Sequence, residues 1–183
     1  MVTLNRIESE FTFAAKLLDK IYSEYCSKNF SSPEHQKFIF LKLQWSIIQF
    51  EVCSDILNFH RTEKGTFARK ASLKSIIHKI FEFRKPLIST HIKTIEDLAV
   101  SKSLGKEKNK LVEISKNFRK IINKIEQYKK LRNVATGHYD PDILKQIKYI
   151  ESIDENEVID LILSFESFMK DLSSLLQDIG KSR

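Results

Sequence analysis

The sequence predicts an all-α fold, an up-and-down bundle of four to five long helices with additional short helices. Apolar residues recur every three or four positions along most of the chain, and no stretch alternates with period two for long enough to form a sheet. Only four glycines and three prolines are present, and they fall between periodic segments or at their edges. Because 183 residues suit one globular domain, we expect a single domain over residues 1–183.

The first two helices are predicted by apolar residues spaced three and four positions apart over residues 4–29 and 38–59. Ser32 is expected to cap the second helix, with Pro33 in its first turn. Residues 61–70 then predict an exposed loop. The two cysteines lie inside the two helical patterns, so we expect reduced core residues, which favours the cytosol. They are Cys26 and Cys53.

The same spacing predicts further helices beyond the loop. A third segment begins near Leu73 and meets Pro86, where we expect a kink or break because the residue before proline is biased away from helix. The apolar pattern continues to Leu98, and a fourth long helix follows over residues 111–128. The remaining predicted elements are a short helix starting at Asp140–Pro141 and a last long helix over residues 158–179, capped by Asp154.

The charge of the chain is polarised along its length. Residues 102–132 hold eleven basic and three acidic side chains, a balance of +8, whereas residues 139–183 hold five basic and ten acidic, a balance of −5. A focused positive surface is typical of a phosphate or nucleic-acid footprint, although a solvated lysine face gives the same pattern. No signal-peptide pattern and no run of ~20 apolar residues is found, so we expect a cytoplasmic protein without membrane contact.

One segment near the end of the fourth helix combines residues that could carry chemistry. The helical stripe places Arg132 on the packing face, where a guanidinium is costly unless it meets an anion or a carboxylate. Asn133 lies beside it, and Gly137 offers the left-handed residue that ends helices. His138 follows near the negative end of the helix dipole, and Tyr139 is close enough to orient its imidazole.

These residue types suit RNA cleavage without metal or cofactor. The Arg132 guanidinium could neutralise charge on a pentacoordinate phosphorus, while the His138 imidazole could move protons to and from ribose oxygens. DNA, which lacks the 2′-hydroxyl, would be spared. One histidine cannot easily serve as both acid and base, so a two-fold dimer with two copies of the motif across one cleft is expected. The candidate catalytic residues are Arg132, His138 and Asn133, and the candidate substrate-binding residues are Lys129, Lys130, Thr136 and Tyr139.

The segment LRNVATGHYD resembles the Arg–polar–x–His signature of HEPN domains (higher eukaryotes and prokaryotes nucleotide-binding). In that family four to six residues separate Arg from His, and Asn, Asp or His usually follows the Arg. Here five residues lie between Arg132 and His138, and Asn133 follows Arg132. The family fold is a bundle of four or five helices with the motif between the last two long ones, which is where this sequence places it.

The resemblance implies metal-independent ribonuclease activity from a homodimer, often in toxin–antitoxin, abortive-infection or other antiphage systems. It implies catalytic roles for Arg132 and His138, a supporting role for Asn133, RNA as substrate and an antitoxin protein as a possible partner. Some members of the family lack activity and act as nucleotide-binding or scaffolding domains. A non-catalytic helical module that binds nucleic acid, nucleotide or protein therefore stays open, as does a plain helical assembly protein.

Other histidine patterns are weaker. Arg84 and His91 also have the required separation, but Lys85 follows the Arg and Pro86 lies inside, so this second match is interpreted as coincidence. His78 lies four residues before Glu82, a helical pair that is more often structural than metal-binding. No Glu-x-x-His is present, which argues against a di-iron bundle.

Overall fold

The computed structural model describes residues 4–131, 133 and 142–181, and in this part of the chain it is an all-α bundle without strands. The predicted fold class is confirmed. The helices are α1 (Leu4–Ser27), α2 (Pro33–Arg61), α3 (Phe67–Pro86), a π-helical turn (Leu87–His91), α4 (Ile92–Ser101), α5 (Gly105–Glu126), α6 (Lys129–Leu131), α7 (Ile143–Glu151) and α8 (Glu155–Lys181).

Side chains cap several helices at their N-termini, where backbone N–H groups have no partner within the helix. Ser32 Oγ accepts the backbone N–H of His35 at 3.1 Å, as predicted for α2. Asp154 Oδ1 accepts the N–H of Glu157 at 3.0 Å before α8, also as predicted. The short helix α7 is capped by Asp142, two residues after the predicted start, and residues 140–141 lie outside the described part of the chain.

Of the kink or break expected at Pro86, the break is wrong, because residues 67–101 are helical throughout. Proline has no N–H to donate within the helix, and the helix widens into a π turn directly after it. The N–H of Ile92 accordingly bonds to the carbonyl of Leu87, five residues earlier. Leu87 and His91 are 0% and 1% exposed, so tertiary packing holds this turn against the local preference of proline.

The main core is built by α2, α3, α4, α5 and α8, with α7 contributing at its end. Between α5 and α8, the rings of Phe118 and Phe168 stack with centroids 4.0 Å apart. The first helix packs along α2 and buries Ile7, Ala14 and Ile21, one residue every seven. None of the described helices combines the length and the apolar character that a membrane crossing requires.

Three sequence predictions need correction: the burial of each of the two cysteines and the extent of the loop after α2. Cys26 is exposed, because it lies about 140° around the helix from Ile21, at roughly 100° per residue. Cys53 is partly buried, and burial raises the pKa of its thiol to about 11. The predicted loop over residues 61–70 is confined to residues 62–66, and Arg69 in α3 is only 6% exposed.

Arg69 joins three elements through a set of hydrogen bonds that the sequence reasoning missed. Its Nη1 donates to the carbonyls of Phe59 at 2.9 Å and Thr62 at 3.0 Å, at the end of α2. The Phe59 carbonyl also accepts the backbone N–H of Thr62 at 3.3 Å. Its Nη2 donates to the carboxylate of Glu155 at 2.7 Å, at the start of α8. The guanidinium also lies 3.7 Å from the centroid of the Phe59 ring. Because Nε also donates to Glu155, at 3.0 Å, each of the three guanidinium nitrogens has a hydrogen-bond partner.

Candidate nucleic-acid interface

The structure describes three of the seven residues predicted for the site. Lys129, Lys130 and Asn133 are exposed. Arg132, Thr136, His138 and Tyr139 lie outside the described residues, so their predicted roles stay predictions.

The chain that leads into the motif is anchored in the bundle. Tyr128 and Leu131 are 9% and 4% exposed and belong to the main core. The hydroxyl of Tyr128 donates to the carboxylate of Glu157 on α8 at 3.4 Å, and burial raises the pKa of this phenol. Because the flanking residues are buried, Lys129 and Lys130 between them face solvent at a fixed place on the surface.

Two of the predicted site residues line a cleft of about 580 Å³ between the end of α3 and the end of α5. Lys129 and Asn133 form one wall together with Ile122 and Glu126. These four positions follow a helical stripe with steps of four, three and four, which explains why they share a face. The opposite wall consists of residues from α3 and the π turn: Phe81, Glu82, Arg84, Lys85, Ile88 and Ser89. Lys130 is not among the lining residues.

Positive charge slightly exceeds negative charge in this cleft, with Arg84, Lys85 and Lys129 against Glu82 and Glu126. Arg84 crosses from α3 to α5 and forms an ion pair with Glu126. Its guanidinium lies over the ring of Phe81, 4.4 Å from the centroid. The side chain of Arg84 is 18% exposed and that of Glu126 is 43% exposed, so the carboxylate lies on the solvent side of the pair.

Arg84 is a cleft residue that sequence reasoning did not select. It belongs to the second Arg–His match, and the structure separates the two members of that match. His91 is 1% exposed and its Nδ1 accepts the indole N–H of Trp45 at 3.1 Å. Burial lowers the pKa of His91 to about 4, so the imidazole is neutral at physiological pH. Arg84 lines the cleft, whereas His91 packs in the core.

A second cationic surface lies on the outer side of α5. Arg119, Lys120 and Lys124 are exposed, and none of them forms an ion pair within the described residues. Other lysines of the same helix are paired, for example Lys108 with Glu96 at 3.0 Å and Lys110 with Asp178 at 3.3 Å. The C-terminal half of α5 therefore presents positive charge that has no ionic partner in the described part of the chain.

The histidine–glutamate pair of α3 lines a different cavity, of about 460 Å³, between α2 and α3. His78 and Glu82 share it with Glu51, but no group of three or more His, Cys, Asp or Glu side chains suited to a metal ion occurs in the described part of the chain. The Nδ1 atom of His78 is buried without a hydrogen-bond partner.

Comparisons with known proteins give no relative for this fold and site: no protein-family model, no curated protein and no solved structure matches the chain.

Proposed function

We propose that the protein is a metal-independent endoribonuclease of the HEPN type. The observation that carries the proposal is that Asn133 of the motif and Lys129, which precedes it, line a cleft together with Arg84 and Lys85. Exposed cations on the outer side of α5, which form no ion pair within the described residues, add a second positive surface. Such a surface attracts the phosphate backbone of a nucleic acid, and it would bring RNA to the segment that carries Arg132 and His138.

The proposed reaction is an internal transesterification. The ribose 2′-oxygen attacks the adjacent phosphorus and forms a new P–O bond, while the bond from phosphorus to the 5′-oxygen breaks. One imidazole of His138 removes the 2′-hydroxyl proton, and an imidazolium donates a proton to the leaving 5′-oxygen. Arg132 neutralises the charge on phosphorus, and Asn133 supports it. The products are a 2′,3′-cyclic phosphate and a free 5′-hydroxyl.

The two proton transfers require two imidazoles in one site, and each chain carries the motif once. We therefore propose a homodimer in which two copies of the motif face one cleft. By resemblance to HEPN proteins, a toxin or antiphage role with an antitoxin partner is part of the proposal.

Purified protein in EDTA tests the catalytic proposal directly. It should cut single-stranded RNA to products with 2′,3′-cyclic phosphate ends and leave DNA of the same sequence intact. Arg132→Ala and His138→Ala should each lower the rate by at least ~100-fold, the usual size of a lost general acid–base or charge-stabilising group. His35→Ala is the matched control, since His35 is partly exposed at the start of α2. Equal rates for wild type and both motif variants would show that catalysis does not occur at this segment.

A non-catalytic RNA-binding module is the second candidate, favoured by Arg119, Lys120 and Lys124 on α5, which have no ionic partner among the residues that the structure describes. This surface needs no contribution from the motif to bind phosphates. If both wild type and His138→Ala bind RNA and neither cleaves it, the result supports this candidate over the nuclease.

A further inference from the structure

We infer that Arg84 binds a phosphate of the RNA, and that Glu126 occupies the place of this phosphate in the free protein. The inference rests on the proposed function, because it assigns a substrate contact to the same cleft. It also adds a residue from α3, which is 48 positions before Arg132 in the sequence and outside the motif.

The Arg84 side chain is prepared to hold an anion. The guanidinium lies over the buried ring of Phe81, which restricts its orientation. A guanidinium binds carboxylate and phosphate oxygens with the same planar set of N–H donors. The side chain of Arg84 is mostly covered by protein, and its ionic partner in the free protein is Glu126. A phosphate entering the cleft would meet a cation whose position is already defined.

Glu126 is the member of the pair that can leave. Its side chain is 43% exposed, so the carboxylate can return to water at low cost when a phosphate takes its place. An RNA phosphodiester presents two non-bridging oxygens, which a guanidinium can bind with two parallel N–H groups as it binds a carboxylate. Lys85 and Lys129 line the same cleft and would add their attraction for the phosphate to that of Arg84.

The other lining residues suit a single-stranded nucleotide. Ile88 is 48% exposed, and together with Ile122 it provides an apolar wall beside the cations. The volume of about 580 Å³ falls within the roughly 300–1,000 Å³ of pockets that hold small ligands. An unpaired base can lie against the apolar wall while its phosphate meets Arg84, whereas a base in a duplex is not available for such a contact.

The test measures binding of a 2′-O-methyl RNA oligonucleotide, which lacks the attacking hydroxyl and cannot be cleaved. Arg84→Gln should weaken binding about tenfold, the size of one charge-assisted hydrogen-bonding group. It should also reduce the slope of log affinity against log salt by about 0.7, the value for one lost phosphate contact on a single strand. Glu126→Gln should instead strengthen binding several-fold, since it removes the competing carboxylate.

The pair formed by Arg61 and Glu8 provides the matched control, because it also joins two helices, α2 and α1, at 2.9 Å. Arg61→Gln and Glu8→Gln should leave the affinity unchanged. If Arg84→Gln fails to fold by circular dichroism, Arg84→Lys replaces it and should lose part of the affinity. Unchanged affinity in both Arg84→Gln and Glu126→Gln, or equal weakening in both, would overturn the inference and leave the pair a structural ion pair.

The result is independent of the catalytic test. Opposite effects of the two variants in a protein that does not cut RNA would support the phosphate site and refute the nuclease. If cleavage requires Arg132 and His138 but the affinity for the oligonucleotide is unchanged in Arg84→Gln, the result supports the nuclease and refutes the phosphate site.

Discussion

At the scale of single residues, His91 shows how burial fixes a protonation state. The imidazole is 1% exposed and lies between the rings of Trp45 and Phe83. Its Nδ1 accepts the indole N–H of Trp45, so the neutral ring with the proton on Nε2 is the form that the core stabilises. Protonation would place a charge among apolar groups, and this burial lowers the pKa of His91 to about 4.

This lowered pKa predicts a loss of stability in mild acid. The unfolded chain binds the proton near pH 6.5 and the folded chain only near pH 4, so protonation favours unfolding as the pH falls between these values. The contribution of neutral His91 to the free energy of unfolding is fully present above pH 6.5. About 3 kcal/mol of it is lost by pH 4. Urea unfolding at several pH values should therefore show a steeper decline for wild type than for His91→Gln.

Glutamine is the suitable replacement because its amide oxygen can accept the indole N–H of Trp45 without titrating. Other titrating groups contribute equally to the unfolding free energy of wild type and His91→Gln, so they cancel in the difference between the two proteins. His60, whose pKa is also lowered by burial, is one of these groups. Parallel curves between pH 7 and pH 4 would mean that His91 binds its proton normally in the folded protein.

At the scale of helices, Arg69 determines how three elements meet. It bonds to two carbonyls at the end of α2 and to Glu155 at the start of α8, while it belongs to the first turn of α3. Arg69→Ala would remove the guanidinium donors from both carbonyls and from the carboxylate, and the Phe59 carbonyl would keep only the N–H of Thr62. Removal of one partner from a buried ion pair costs about 3 kcal/mol or more, and we expect a loss of this size in the free energy of unfolding.

Arg61→Ala is the control for this prediction, measured by the same urea titration. Arg61 lies only eight residues away and pairs with Glu8, but the two side chains are 56% and 43% exposed. Exposed pairs contribute less than about 1 kcal/mol. Similar losses in the free energy of unfolding for the two alanine variants would contradict the interpretation that the buried hydrogen bonds of Arg69 hold the helices together.

The helices and their caps could be predicted from the sequence because they depend on residues close in the chain. Ser32 and Asp154 cap helices through backbone groups three residues ahead, and apolar spacing identifies each packing face. The continuous helix through Pro86 could not be predicted, since the burial of Leu87 and His91 decides it. The pairing of Arg84 with Glu126 spans 42 residues and depends on the register between α3 and α5, which no local pattern reports.

At the scale of the whole molecule, the oppositely charged parts of the chain lie side by side. The cationic helix α5 packs along α8, which carries six acidic and two basic residues. The seam between them is apolar, with Phe118 stacked on Phe168, and Lys110 pairs with Asp178 at its edge. The cations on the outer face of α5 lie away from this seam, so the acidic helix does not neutralise them.

This arrangement predicts a binding surface that recognises phosphates without regard to sequence. Lys120 and Lys124 are four residues apart on the exposed face of α5 and lack ion pairs among the described residues. If each contacts one phosphate, the double variant Lys120→Gln/Lys124→Gln should weaken the binding of single-stranded RNA several-fold. It should also reduce the slope of log affinity against log salt by about 1.4, twice the value for one contact.

The double variant Lys16→Gln/Lys20→Gln provides the comparison, because these lysines are also exposed and four residues apart, but on α1. It changes the net charge by the same amount, so a general effect of charge would lower the affinity equally in both proteins. A local effect at α5 would leave the α1 variant close to wild type. Oligonucleotides of different sequence should lose the same factor, since lysine contacts to phosphate carry no base information. Equal losses in the two double variants would place the RNA elsewhere and attribute the effect to net charge alone.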